Sequence, residues 1–242
     1  MQMLGTADIM TPASGSPRSQ TSLAYEVIRH DIIAGRHQPG KKLKIQELAD
    51  ELKVAPSAVR EALSRLVPEQ LVISRDQRGF VVAPLSIDDL IDLTDLRCEI
   101  EAIALRRSVE KGDIDWEVRL ISAAHRLRAL PQPRPRDGDA MEDQTSDWLA
   151  KHADYHAALV SACGSRRLMA LHAQLYEQSE RYRIMSALIE TTRDVVDEHQ
   201  QLVDLALARD ADGLVAMMTK HIRLTTDLIV AAAEKNSFPS EE

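Results

Sequence analysis

The sequence predicts a mainly α-helical protein in two parts, a short mixed unit followed by a longer all-helical one. Three observations carry this. Aromatic residues make up 3% of the 242, with only 9 Gly and 10 Pro, a balance that disfavours sandwiches and barrels. Apolar residues recur at helical spacing along most of the chain. Two β-rich runs stand back to back only between Leu71 and Val82.

Residues 1–20 are polar and aperiodic and read as a flexible arm. Ser22 reads as the N-cap of a first helix whose stripe is Leu23, Val27, Ile28, Ile32 and Ile33. Gly35 stops it and Pro39-Gly40 turns the chain. A second helix covers Ile45 to Leu52, with Leu48, Ala49 and Leu52 on one face, and residues 53–56 break it. Ser57 reads as the cap of a third helix, Ala58 to Val67, with Val59, Ala62, Leu63 and Leu66 inward. Residues 71–74 and 79–82 then form a hairpin joined through 75–78, and Pro84 closes the unit. Helix, helix, tight turn, helix and hairpin is the order of a winged helix-turn-helix, whose third helix enters the DNA major groove.

Beyond Pro84 the pattern predicts helices over 86–110, 113–130, 147–162, 165–188, 191–208 and 210–234, with 131–147 as a loop. Six helices with mostly short connections make an antiparallel all-α bundle. The predicted organisation is an arm (1–20), a DNA-binding unit (21–84), an all-helical unit (85–236) and a tail (237–242).

Charge separates the two parts. Residues 1–85 carry a net +2 and residues 86–242 a net −10, so only the first part suits a polyanion. No run of about 18 apolar residues exists, which excludes a membrane-spanning helix, and no signal peptide is legible. Cys98 and Cys163 are too few for a disulfide framework and read as reduced thiols of a cytoplasmic protein.

The motifs IIxGxxxPGxxL, ELAxxL, VREALxRL and RGxxV, in this order within residues 25–85, resemble the GntR family of bacterial transcription regulators. The helical remainder is similar to the FadR-type effector domain (FCD type), on LRxxIE (96–101), HADYHAAL (152–159), the run at 198–207 and ARDADGLVAMMTKH (208–221). The resemblance spans about residues 22–235 and implies a homodimer that binds a pseudo-palindromic double-stranded DNA operator. It departs at Pro56, where the family usually has an Arg that contacts DNA. It departs also at Lys53 and Gln70, where the family usually has Gly.

Arg60, on the face of the third helix opposite Val59 and Leu63, is the leading DNA contact, since an exposed Arg can fork onto guanine or hold a phosphate. Lys44, Gln46, Ser57 and Arg65 are further candidates, and Arg78 and Gly79 at the wing tip allow close approach to the minor groove. The plain structural alternative for Arg60 is an ion pair with Glu61 or Glu47.

His152 and His156, at i and i+4, share a helix face. With His199 and His221 they fall where metal-binding members of the resembling effector domains hold a divalent transition metal. Imidazole suits Zn, Ni or Mn. His30, His37, His125 and His172 are expected to be surface or structural. The resemblance implies a small carboxylate effector at the metal and makes Arg97 its partner, with a salt bridge to Glu101 as the structural alternative. The expected function is a repressor released by a small organic acid. The alternatives are a regulator whose signal is the metal itself, a metal-dependent enzyme on a helical bundle, and a fatty-acyl-CoA sensor, which a polar four-His cavity disfavours.

Overall fold

The computed structural model describes residues 19–75, 79–132, 141–186 and 193–234. The expected arm up to residue 18, the tail and Arg78 lie outside them.

Helix α1 (Gln20–Ile33) starts earlier than expected, because Ser19 rather than Ser22 is its N-cap: the Ser22 N–H donates to Ser19 Oγ at 3.1 Å. Ala24, Ile28 and Ile32 are its buried stripe. A two-residue strand, β1 (Lys42–Leu43), follows; it is too short to leave a periodic signal. α2 (Ile45–Leu52) and α3 (Pro56–Leu66) form the helix-turn-helix. Ser57 does not cap α3. Ala55 holds that position and Pro56 the first helical one, where a missing N–H costs nothing and a fixed φ favours the helix. β2 (Val72–Arg75) and β3 (Gly79–Val82) form the wing, and β1 adds antiparallel to β3, giving the order β1-β3-β2 with Leu43 opposite Phe80 and Arg75 opposite Gly79. Val59, Ala62, Leu63 and Leu66 of α3 enter one buried cluster with Ile28, Leu48, Phe80 and Val82.

In the second part, α4 (Ile87–Lys111) is capped by Ser86 and α5 (Ile114–Arg128) by Asp113, whose carboxylate accepts the Trp116 N–H at 2.9 Å. α6 (Met141–Val160) corrects the expected loop: residues 141–147 are helical. They carry no apolar spacing to announce a helix, but after Gly138 no Gly or Pro forbids one. α7 (Arg166–Ser186), α8 (Val195–Leu207, capped by Asp194 and so starting after the expected Thr191) and α9 (Ala211–Glu234) complete the bundle among the described residues. α4 packs on α9 and α7, and α5 packs on α6 and α8. The core centres on Trp116, Leu105, Leu120, Tyr155, Leu159 and Leu202. Cys98, Cys163 and Met218 are part of it, as small or adaptable core groups.

α7 also faces the winged helix. Arg29 of α1 pairs with Glu69 at 2.8 Å and with Glu177 of α7, and Gln178 donates to the Glu69 carbonyl at 3.0 Å. Arg181 donates to the Ala83 carbonyl, and the Tyr182 hydroxyl donates to Asp89 at 2.6 Å. Leu85, Leu90, Leu93, Leu175, Tyr182 and Ile229 form an apolar joint beside these bonds.

Candidate metal centre and nucleic-acid interface

The four histidines singled out by spacing meet in the bundle. One ligand atom from each of His152, His156, His199 and His221 lies within 4.8 Å of the others, and all four are buried. The helical repeat explains the first pair: i and i+4 on α6 put His152 and His156 on the inner face, either side of Tyr155. Trp148, one turn earlier, stacks on the His152 ring at 4.6 Å. The Tyr155 hydroxyl donates to the His199 carbonyl at 2.9 Å and ties α6 to α8.

The neighbours orient the rings. His152 Nδ1 hydrogen-bonds the Tyr176 hydroxyl at 2.7 Å, leaving Nε2 as its coordinating nitrogen. His221 Nδ1 sits 2.7 Å from Glu198 Oε2, and Arg193 holds that carboxylate through two N–H groups. A histidine fixed by a carboxylate on one nitrogen is the usual support for a metal on the other. Two imidazole nitrogens, each about 2.0–2.1 Å from a shared metal, stand roughly 3.0–3.4 Å apart; the Nε2 atoms of His152 and His156 are 3.2 Å apart. His199 Nε2 is buried with no hydrogen-bond partner, which is costly unless another group satisfies it; His156 Nδ1 is partnerless as well, but with Nε2 of that ring beside His152 it does not serve the same ion.

Electrostatics agree with this. Burial, and then the mutual repulsion of the rings, pushes His152 and His156 well below the ordinary histidine range. Burial and His221 do the same to His199, and burial lowers His221 against the pull of Glu198. All four are therefore neutral at pH 7, the form that binds metals. Burial raises Glu198, but hydrogen bonds from Arg193 and His221 outweigh it and hold its carboxyl at about 2. Four neutral nitrogens with carboxylate support fit a divalent transition metal rather than a hard oxygen-seeking ion.

Arg97 is buried beside this cluster, with Nη1 donating to Ser179 at 2.8 Å and its plane over Tyr176. Glu101 is 3.6 Å away, so the expected salt bridge exists but is long. Glu101 is held instead by His172 at 3.0 Å, which makes that histidine structural, as expected. Arg97 Nε and Glu101 Oε2 are buried without partners. Asp154 points outward and pairs with Lys151.

Sequence reasoning missed Trp148, Tyr176, Glu198 and Arg193. Glu198 adjoins His199, which was a usable signal. Tyr176 and Arg193 come from other segments and carried none.

On the winged helix, Arg60 is exposed and makes no ion pair among the described residues. Its suggested partners are engaged elsewhere, Glu47 with Lys44 at 2.6 Å and Glu61 with Thr21 at 3.2 Å. Ser57 is exposed in the first turn of α3. Gln46 is bonded to Asp50 on its own helix, and Arg65 lies back over the Tyr25 ring at 4.4 Å. Gly79 is exposed at φ +82° with open space around it. The structure thus leaves Arg60, Ser57 and Gly79 available together and gives Lys44, Gln46 and Arg65 intramolecular partners.

A winged helix-turn-helix joined to a six-helix bundle with a histidine-lined interior defines a DNA-binding regulator with an effector domain. Residues 20–82 match the bacterial regulatory proteins of the gntR family, and residues 92–224 match the FCD domain. The chain belongs to the GntR family, with an FCD effector domain. Over 224 residues, 92% of this chain and 90% of the relative, it is 38% identical to the uncharacterized HTH-type transcriptional regulator BphR of Paraburkholderia xenovorans strain LB400. It is 32% identical to the HTH-type transcriptional repressor GlaR of Escherichia coli K12, over 89% of this chain and 99% of that one. E. coli McbR/YncC shares the fold, with a TM-score of 0.72 and 18% identity over 90% of this chain and all of that one. These relatives and families are transcriptional regulators, not enzymes.

Proposed function

We propose that this regulator is a homodimeric repressor with units 21–84 and 85–236, that it binds a pseudo-palindromic operator in a bacterial cytoplasm, and that a small carboxylate bound at a His-held metal releases it. The observation that carries the reading is the buried four-histidine cluster, with its carboxylate- and tyrosine-fixed rings and the partnerless His199 Nε2. His152, His156, His199 and His221 would hold a Zn, Ni or Mn ion, which supplies positive charge and an acceptor site for an anionic oxygen. Arg97, desolvated and with a partnerless Nε, orients a second carboxylate oxygen. On DNA, Arg60 reads a base edge or holds a phosphate, while Ser57 and the N-terminus of α3 hold a phosphate. Lys44, Gln46, Arg65 and Gly79 are the further candidates for that interface, with Arg78, which lies outside the described residues, named on sequence alone.

Metal analysis of the purified protein, followed by thermal-shift and operator-binding titrations against small carboxylates, tests the reading. About one metal per chain, stabilisation by one acid and loss of operator binding with that acid support it. Chelation that abolishes DNA binding with no acid present would favour the metal as the signal instead.

A further inference from the structure

The end of α5 and the first turns of α8 enclose a cleft that reaches the histidine cluster. Leu127 and Leu130 line it from the α5 side, and Val196 and Val203 from α8. The α8 wall follows from the helical repeat, which puts residues 196, 199, 200 and 203 on one face. Trp148 of α6 and His199 also line the cleft. Its free space, the open mouth included, is about 420 Å³, within the usual span of small-molecule sites.

The cleft runs from solvent to a dry end. Val196 is 49% exposed, and Arg128 and Gln200 are exposed beside it. Leu127, Val203, Trp148 and His199 are buried. The buried end adjoins the cluster directly. Trp148 stacks on the His152 ring, and His199, whose Nε2 has no hydrogen-bond partner, is one of the four histidines. A carboxylate finds neither charge nor hydrogen bond between Leu127, Leu130, Val196 and Val203, so that stretch rejects it. Positive charge is available at the two ends, from an ion held by the histidines and from Arg128 at the mouth. The buried end is the one where water does not screen the attraction.

We propose that the effector is a monocarboxylate with an apolar aryl or alkyl tail. Its head meets the ion past His199, and its tail lies between Leu127, Leu130, Val196 and Val203, against the Trp148 ring. Hydroxy acids and dicarboxylates are disfavoured, because the same walls leave their extra polar groups unpaired. The inference rests on the metal-held carboxylate proposed above and adds its chemical class.

Calorimetric titration of the zinc-loaded full chain tests it, with phenylacetate and hexanoate against acetate, lactate and succinate. Each buried CH₂ is worth roughly fourfold in affinity, so two buried carbons suffice for the expected advantage of about tenfold or more. Tryptophan fluorescence is expected to change on binding phenylacetate, and the response to vanish in Trp148→Phe, which keeps Trp116. Val196→Asp, at the solvent end, is expected to lower phenylacetate and hexanoate affinity about tenfold and to narrow their advantage over acetate. Lactate or succinate binding as tightly as the apolar acids overturns the tail site and leaves a metal-held carboxylate standing. Phenylacetate binding equally well after the metal is stripped, and lost in Arg128→Gln, overturns the orientation by placing the head at the mouth. A zinc-loaded chain that binds none of the five acids overturns both readings.

Discussion

Tyr176 and Glu177 are consecutive on α7 and hold opposite parts of the molecule. The Tyr176 hydroxyl bonds His152 in the histidine cluster, and the Glu177 carboxylate pairs with Arg29 of α1 in the winged helix. Two adjacent residues thus join the effector cluster to the DNA-binding unit through one rigid helix. Glu69, at the end of the helix-turn-helix, is on the same joint through Arg29 and Gln178. Coupling between two sites needs an element that both of them bias, and α7 is placed to be one.

Glu177→Ala removes the carboxylate that ties Arg29 to α7. The substitution leaves the histidine cluster and the α3 surface untouched. Metal content and intrinsic operator affinity are expected to stay near wild type. The factor by which metal and acid change operator affinity should fall several-fold, because coupling energies of this kind are about 1–3 kcal/mol. Operator titrations with and without ligand measure that factor; an unchanged ratio removes α7 from the path.

His156→Ala deletes the ring at the centre of the cluster. Metal binding stabilises the folded chain by RT ln(1 + [L]/Kd), about 2.7 kcal/mol at a hundredfold excess over Kd. For a chain of this size that is roughly 5–10 °C in Tm. Wild-type protein stripped of metal should regain this on adding Zn or Ni, and the variant should not respond. An equal shift in both would show that the metal binds elsewhere.

Acid should destabilise the metal-free protein earlier than its carboxylates alone would. Burial holds the four cluster histidines neutral in the fold, while in the unfolded chain they titrate near 6.5. Below that pH the unfolded state binds more protons than the folded one, so stability is present above the window and is lost as the pH falls through it. Each histidine contributes a slope of up to about 1.4 kcal/mol per pH unit. Chelated protein should show a flat Tm from pH 8 to 7 and a steep fall below 6.5. A Tm that is constant down to pH 5 would mean the rings are already protonated or exposed.

Arg60→Ala should weaken sequence-specific operator binding about tenfold or more and leave Tm within a degree or two, since Arg60 is exposed and holds no other residue. Losing one bidentate base contact costs about 1–3 kcal/mol. Lys44→Ala should act more weakly, because Lys44 already shares its charge with Glu47. Gel shifts at fixed salt separate the two; wild-type affinity in Arg60→Ala would move the base-reading role off α3.

Much of this was legible because helices carry their pattern locally. Leu48, Val59, Leu63 and Leu66 declared their buried faces by spacing, and His152 and His156 declared a shared face by the same repeat. Features set by partners distant in the chain were not legible. β1 exists because Leu43 pairs with Phe80, and two residues have no period of their own. Tyr176 supports His152 from a helix whose sequence gives no hint of it. Residues 141–147 are helical without an apolar stripe. Ser22 and Ser57 suit a cap by residue type alone, where the chain uses Ser19 and Ala55-Pro56.

The departures from the family pattern carry a prediction about stability. Lys53 (φ 55°) and Gln70 (φ 60°) keep the left-handed backbone of positions that usually hold Gly. A residue with a Cβ costs about 1–2 kcal/mol there, and Gly restores part of that after its own entropy loss of about 0.5–1 kcal/mol. Gln70 is the cleaner test: it is exposed, and its N–H donates to Val67 whatever the side chain. Gln70→Gly is expected to stabilise the protein by about 0.5–1 kcal/mol, raising Tm by a few degrees. The reverse change at Gly40 (φ +74°), where an added Cβ meets nothing within 4 Å, isolates the same backbone term. Gly40→Ala should therefore destabilise by about 1 kcal/mol with no clash to blame. Chemical denaturation of both variants checks the pair. Opposite signs support the conformational account, and a loss of stability in both would place the cost at residue 70 in lost side-chain contacts instead.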